Sequence, residues 1–212
     1  ARTVVRNLFR LSRIAMQPAE EPTPRTEVEM AQQWWRSADG HKDEGHRDRA
    51  RLLKELANQA LAEAEPLDTS EHPAAAVDAL IASETLRDLR DEKVAFHHDV
   101  LRDWAIANLI DSEYALLDDL SLARPLSATL VRGVELAARM SLEDEADSSR
   151  WQSLLDRFSA EDVHGTWQRE VLLATVRSEA AGALLDKAAD ALLTDNALHL
   201  RNLLRLVMAV EV

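Results

Sequence analysis

Apolar residues recur at three- and four-residue intervals along almost the whole 212-residue chain, which predicts a mainly α-helical protein. Val4, Val5, Leu8, Phe9 and Leu11 make the apolar side of a helix over residues 2–16, with Arg2, Arg6, Arg10 and Arg13 along another side. Pro18, Pro22 and Pro24 make residues 17–25 a linker, because proline withholds a donor and disfavours helix in the residue before it. Thr26 followed by Glu29 is a capping-box pattern, and the helix it opens carries Val28, Met30, Ala31, Trp34 and Trp35 before breaking at Asp39 and Gly40. A helix over 47–63 sets Leu52, Leu53, Leu56, Ala57, Ala60 and Leu61 at helical spacing. Pro73 suits the first turn of the next helix, whose apolar residues are Ala76, Val77, Leu80 and Ile81.

The period then changes. Residues 86–90, a turn at Asp91, Glu92 and Lys93, and residues 94–98 predict a short β-hairpin, the one β element the pattern supports. Asp99 is placed to cap a helix over 100–110, apolar on most faces and so expected to be buried. From residue 115 the chain reads as helices only. Leu126, Leu130, Val134, Ala137 and Met140 form one stripe, and Trp151, Leu154, Leu155 and Phe158 a second. Trp167, Val171, Leu172 and Thr175 form a third. Leu184, Leu185, Ala188 and Leu192, then Leu200, Leu203, Leu204 and Val207, complete the series. Short polar links between such helices predict stacked pairs of the helical-repeat kind, without a fixed period.

Charge sharpens this picture. The net charge is −13, and residues 1–65 carry 11 basic and 11 acidic side chains, so the whole excess lies in 66–212, with 14 against 27. Such a surface repels a phosphate backbone, and nucleic acid is not an expected partner. No run reaches the roughly 18 apolar residues of a membrane span, and no membrane partner is expected. With no cysteine, disulfides and thiolate sites are excluded, which fits a cytoplasmic location. The five glycines form neither a GxxxxGK[ST] phosphate loop nor a GxGxxG turn, so the chain should hold no nucleotide by its own loop. It opens on Ala1 and stops at Val212 within an apolar pattern, as expected of a piece of a longer protein.

Candidate chemistry is sparse. His41, Asp43 and His46 match no closed metal site, and no metal is expected. His97, Asp99 and Asp103 with Ser12 or Ser83 could be drawn as a hydrolase set, but no GxSxG turn exists and no catalytic residue is assigned. Asp118 with Asp119, and Glu143, Asp144 and Glu145, read as solvated acids. The order helix, helix, hairpin, helix over 47–110 is that of a winged-helix unit. Its second helix, however, carries Asp78 and no basic residue, which disfavours DNA recognition. Strand alternation puts Val94, Phe96 and His98 on one face and Ala95 and His97 on the other, so His98 is expected to point inward beside Phe96. An imidazole next to a helix N-terminus can hydrogen-bond a phosphate, and it can equally be satisfied by a carbonyl or an Asp.

The run Phe96, His98, Arg102, Asp103 and Trp104, at the close of a winged helix, resembles a motif of the STAND signalling NTPases, the group that includes NACHT proteins. Residues 5–15 resemble the helical lid that follows the ATPase core of that family, with Asn7, Leu8 and Phe9 where the family often has Asn-Pro-aliphatic. The resemblance implies a fold of helical lid, winged helix with one hairpin, and helical repeats. The corresponding divisions are 1–45, 46–114 and 115–212. It also implies a regulatory fragment in which His98 reaches the β-phosphate of ADP held by the core. Phe96, Arg102, Asp103 and Trp104 would then support the motif. The chain itself would bind no cofactor and catalyse nothing, ADP or ATP with magnesium belonging to the parent protein. Its partners would be the ATPase core of the same polypeptide and a protein ligand on the repeats. The alternative is a stand-alone acidic α-helical scaffold for protein–protein interaction.

Overall fold

Thr26 accepts a hydrogen bond on Oγ1 from the Glu29 amide at 3.2 Å, and the Glu29 carboxylate reaches back to the Arg25 amide, so the capping pattern does open a helix. That helix is α1, Glu27–Ala38, in a computed structural model that describes residues 22–38, 44–143 and 149–210. The expected helix over 2–16, most of the linker, and His41 and Asp43 lie outside the described residues. Val28, Met30, Ala31 and Trp34 are buried on α1, which is covered on more than one side.

The helix α2 spans His46–Leu61, and all six apolar residues singled out by spacing are buried along it. A two-residue strand, β1, follows at Leu67–Asp68, held by the Gln59 side chain, which donates to the Asp68 carbonyl at 3.0 Å and accepts from its amide at 2.7 Å. After Pro73 comes α3, Ala74–Ala82, burying Ala76 and Leu80. The hairpin is formed by β2, Leu86–Arg90, and β3, Lys93–Phe96, antiparallel with Leu86 opposite Phe96 and Asp88 opposite Val94. A register shift at Leu89 and positive φ at Arg90, Asp91 and Glu92 (73°, 51° and 58°) close its turn. The sheet has three strands in the order β1-β3-β2, one more than the hairpin expected, because β1 pairs with β3 through Leu67 and Val94.

The helix α4, Asp99–Ser112, is buried on nearly every side, as its composition predicted. A 3-10 turn at Tyr114–Asp119 leads to α5, Val131–Glu143. Then come α6, Ser149–Phe158, α7, Gly165–Arg177, and α8, Ala181–Val210. Gly133 on α5 lets the backbones of α4 and α5 meet. A Cβ there would lie 2.6 Å from Cγ2 and 2.9 Å from Cβ of Ile106. The stripes on α5, α6 and α7 are buried as spaced. On α8, Leu184, Ala188, Leu192 and Leu203 are buried, but Leu204 is 54% exposed, contrary to its place in the expected stripe.

Leu204 lies about 100° round the helix from the buried Leu203, on the outer side. Ahead of it α8 is broken: residues 194–197 leave helical geometry, and Asp195, Asn196 and Ala197 take positive φ. An unbroken helix continuing the Ala188 and Leu192 side would turn Asp195 onto the core. The break leaves Asp195 and Asn196 exposed instead, and both residue types tolerate the left-handed region. The buried apolar side chains, from Val28 on α1 to Leu203 on α8, form one continuous cluster.

Candidate functional site

The motif at the hairpin–helix junction divides between core and surface. Phe96 closes β3 at 6% exposure, and Trp104, one and a half turns into α4, is fully buried with its indole N–H 3.4 Å from a Glu27 oxygen. Arg102 lies between carboxylates, 3.3 Å from Asp103, 3.5 Å from Asp99 and 3.8 Å from Glu65. Burial raises the Asp103 carboxyl to about 6, against the opposing pull of Arg102 and Arg132.

The expectation that His98 points inward is corrected. His97 and His98 are both exposed. Alternation stops at Phe96, the last strand residue, and His98 in extended geometry (φ −142°, ψ 142°) is the N-cap of α4, the role expected of Asp99. Its Nδ1 accepts from the Val100 amide at 3.1 Å. The same device recurs at α7, where His164 accepts from the Thr166 amide at 3.3 Å. An imidazole that accepts on Nδ1 carries its hydrogen on Nε2 when neutral.

The hydrolase grouping is not supported by a poised hydroxyl. Ser83 Oγ bonds the Leu80 carbonyl at 3.1 Å and the Thr85 hydroxyl at 3.0 Å, and Ser12 lies outside the described residues. Among the described residues no three His, Cys, Asp or Glu side chains are grouped to hold a metal. Asp118 and Asp119 are exposed, Asp118 lying 3.5 Å from Arg157. No described helix is long and apolar enough to cross a membrane.

The core holds a buried ionic hub that the sequence pattern scarcely announces. Arg139 on α5 lies 2.8 Å from Glu27 on α1, 2.9 Å from Glu135 and 3.7 Å from Glu179 just before α8. Arg132 pairs with both Glu27 and Glu135. On α7, Glu170 is 2.9 Å from Arg177 and 3.6 Å from Arg169. Burial opposes the charge on Arg139, but Glu135, Glu27 and Glu179 outweigh it, and its pKa is raised. Burial raises that of Glu170, countered by Arg177 and Arg169. Glu143, read as a solvated loop acid, ends α5 and accepts from Thr26 and Ser178 hydroxyls, each at 2.7 Å. The one legible sign was the spacing Arg132, Glu135, Arg139 on a helix otherwise rich in core residues.

No protein-family model matches the chain, and no curated protein or solved structure shows significant similarity to it.

Proposed function

We propose that the chain is the regulatory part of a larger cytoplasmic signal-transduction NTPase of STAND type. In this reading the hairpin–helix junction closes on ADP held by an ATPase core of the same polypeptide, and the helices beyond α4 receive a protein signal. The chain performs no catalysis and contacts no nucleic acid. In this reading His98 is the residue that approaches the nucleotide, and the core supplies the other phosphate ligands.

The observation that carries this reading is the state of His98. It stands at the exposed start of α4 with Nδ1 engaged by the Val100 amide, which assigns the hydrogen of the neutral ring to Nε2. Phe96 and Trp104 beside it are buried and fix the junction. The start of a helix is a favourable place for an anion, and that position of His98 supports the reading.

The test is ADP retention by the polypeptide that joins this chain to its ATPase core. His98→Ala should release ADP about ten- to a hundred-fold more readily, the loss of one hydrogen bond to a charged group, and raise basal signalling. His98→Asn keeps a capping side chain but lacks the imidazole, so it should release ADP as well. His97→Ala should retain it. Wild-type retention in His98→Asn would leave His98 a helix cap and nothing more.

A second reading, an acidic scaffold working without an ATPase core, is favoured by the exposed Leu204 and Met208 on α8. An upstream reading frame lacking a phosphate loop would select it.

A further inference from the structure

We infer that the outer face of the last part of α8 is a docking surface for an acidic amphipathic helix of another protein. The inference does not rest on the nucleotide reading and would survive its failure.

Beyond the break at 194–197, each residue turns the helix by about 100°. His199 and Leu203, at 7% and 2% exposure, mark the inward side. Arg201, Leu204, Arg205 and Met208 fall on the opposite side, with Leu204 at 54% and Met208 at 70% exposure. The helix is therefore apolar both inward and outward, the pattern of a covered helix rather than of a solvated one. Of six large apolar side chains exposed among the described residues, Leu193, Leu198, Leu204 and Met208 belong to α8.

Charge identifies the occupant. After Asp195 the described part of α8 holds Arg201 and Arg205 and no carboxylate, although the chain carries −13. Among the described residues Arg205 meets the Asn202 side chain, at 3.4 Å, and neither arginine forms an ion pair. The two guanidinium groups edge the Leu204 and Met208 ridge. A helix with an apolar ridge bordered by Asp or Glu complements that surface in both shape and charge. A second copy of the chain is a poorer fit, because a two-fold contact through this face sets arginines against arginines. An anionic lipid surface is poorer too, since a membrane-surface helix is rich in Lys and Arg along its polar face and this one carries two arginines.

The probes are a synthetic amphipathic helical peptide with a leucine ridge edged by glutamates, and the same peptide edged by lysines, titrated into the purified chain. The glutamate peptide should bind the wild type. The double reversal Arg201→Glu with Arg205→Glu should weaken it about ten-fold and favour the lysine peptide instead. Leu204→Ala with Met208→Ala should weaken both peptides. All four side chains are exposed, so melting temperatures should not move. Absence of glutamate-peptide binding, or equal binding of both peptides, overturns the inference. So does self-association in sedimentation that Leu204→Glu abolishes, or transfer onto phosphatidylserine vesicles in preference to peptide.

Discussion

Arg139 and Glu27 lie 112 residues apart in the chain and 2.8 Å apart in the fold, with side chains 1% and 4% exposed. Through this contact the first described helix is tied to α5 in the middle of the core. Glu135, also sealed from solvent, holds the other side of the guanidinium. A buried pair gains little over an apolar pair of the same volume, but removal of one partner strands the other.

Arg139→Ala should therefore destabilise the chain by about 3–5 kcal/mol, because Glu27 and Glu135 would remain buried facing each other with only Arg132 between them. Urea unfolding at neutral pH measures this. Glu27→Ala combined with Arg139→Ala should cost less than the sum of the two single losses. Additive losses would show that the contact does not couple α1 to α5.

Asp103 gives a pH dependence of unusual sign. Its carboxyl titrates near 6 in the folded chain against 3.8 ordinarily, because burial disfavours its charge. Between about pH 4 and 6 the folded chain thus binds more protons than the unfolded one, and this residue makes stability rise as pH falls. About two pKa units correspond to about 3 kcal/mol. Asp103→Asn should be more stable than wild type at pH 7 by up to that amount, and the advantage should vanish towards pH 4. Paired denaturation curves across that range check it. A difference independent of pH would mean that Asp103 stays ionised throughout.

The helices were legible because their stripes are strict. Leu52, Leu53, Leu56, Ala57, Ala60 and Leu61 could be assigned to one buried side of α2 from spacing alone, and so could Trp151, Leu154, Leu155 and Phe158 on α6. Three features were not legible, each for a local reason. Leu67 and Asp68 are too few to show a two-residue period, and β1 exists through its pairing with Val94 and Lys93. Glu27, Arg132, Glu135 and Arg139 look like solvated i,i+3 and i,i+4 charges until a distant helix buries them. Strand alternation ends at Phe96, two residues before His98, and no residue type in the sequence marks that end.

Gly133 should resist enlargement. An alanine gains helix propensity of about 1 kcal/mol over glycine, yet its methyl group would fall 2.6 Å from Ile106 Cγ2 in a closed interface. Overpacking of this kind costs about 1–3 kcal/mol, so Gly133→Ala should be destabilising on balance and Gly133→Val more so. Ile106→Ala in the same chain should make the added methyl group less costly. Thermal melts of the single and double variants decide the point, and a stabilising Gly133→Ala would show that α4 and α5 separate without cost.

His98 and His164 offer a comparison within one molecule, because each accepts the amide two residues on through Nδ1 and each starts a helix of the core. Replacing either by alanine removes the acceptor for one free amide at a helix N-terminus, a loss of about 1 kcal/mol. Asparagine, a favoured cap, should restore most of that stability at both positions. The two sites should therefore respond alike in chemical denaturation, whatever His98 does for a nucleotide. His97 caps nothing, and His97→Ala should leave stability within about 0.5 kcal/mol of wild type. If His98→Ala proves neutral while His164→Ala costs the full amount, the Val100 amide has another acceptor, and the Nδ1 bond that sets the His98 ring would lose its basis.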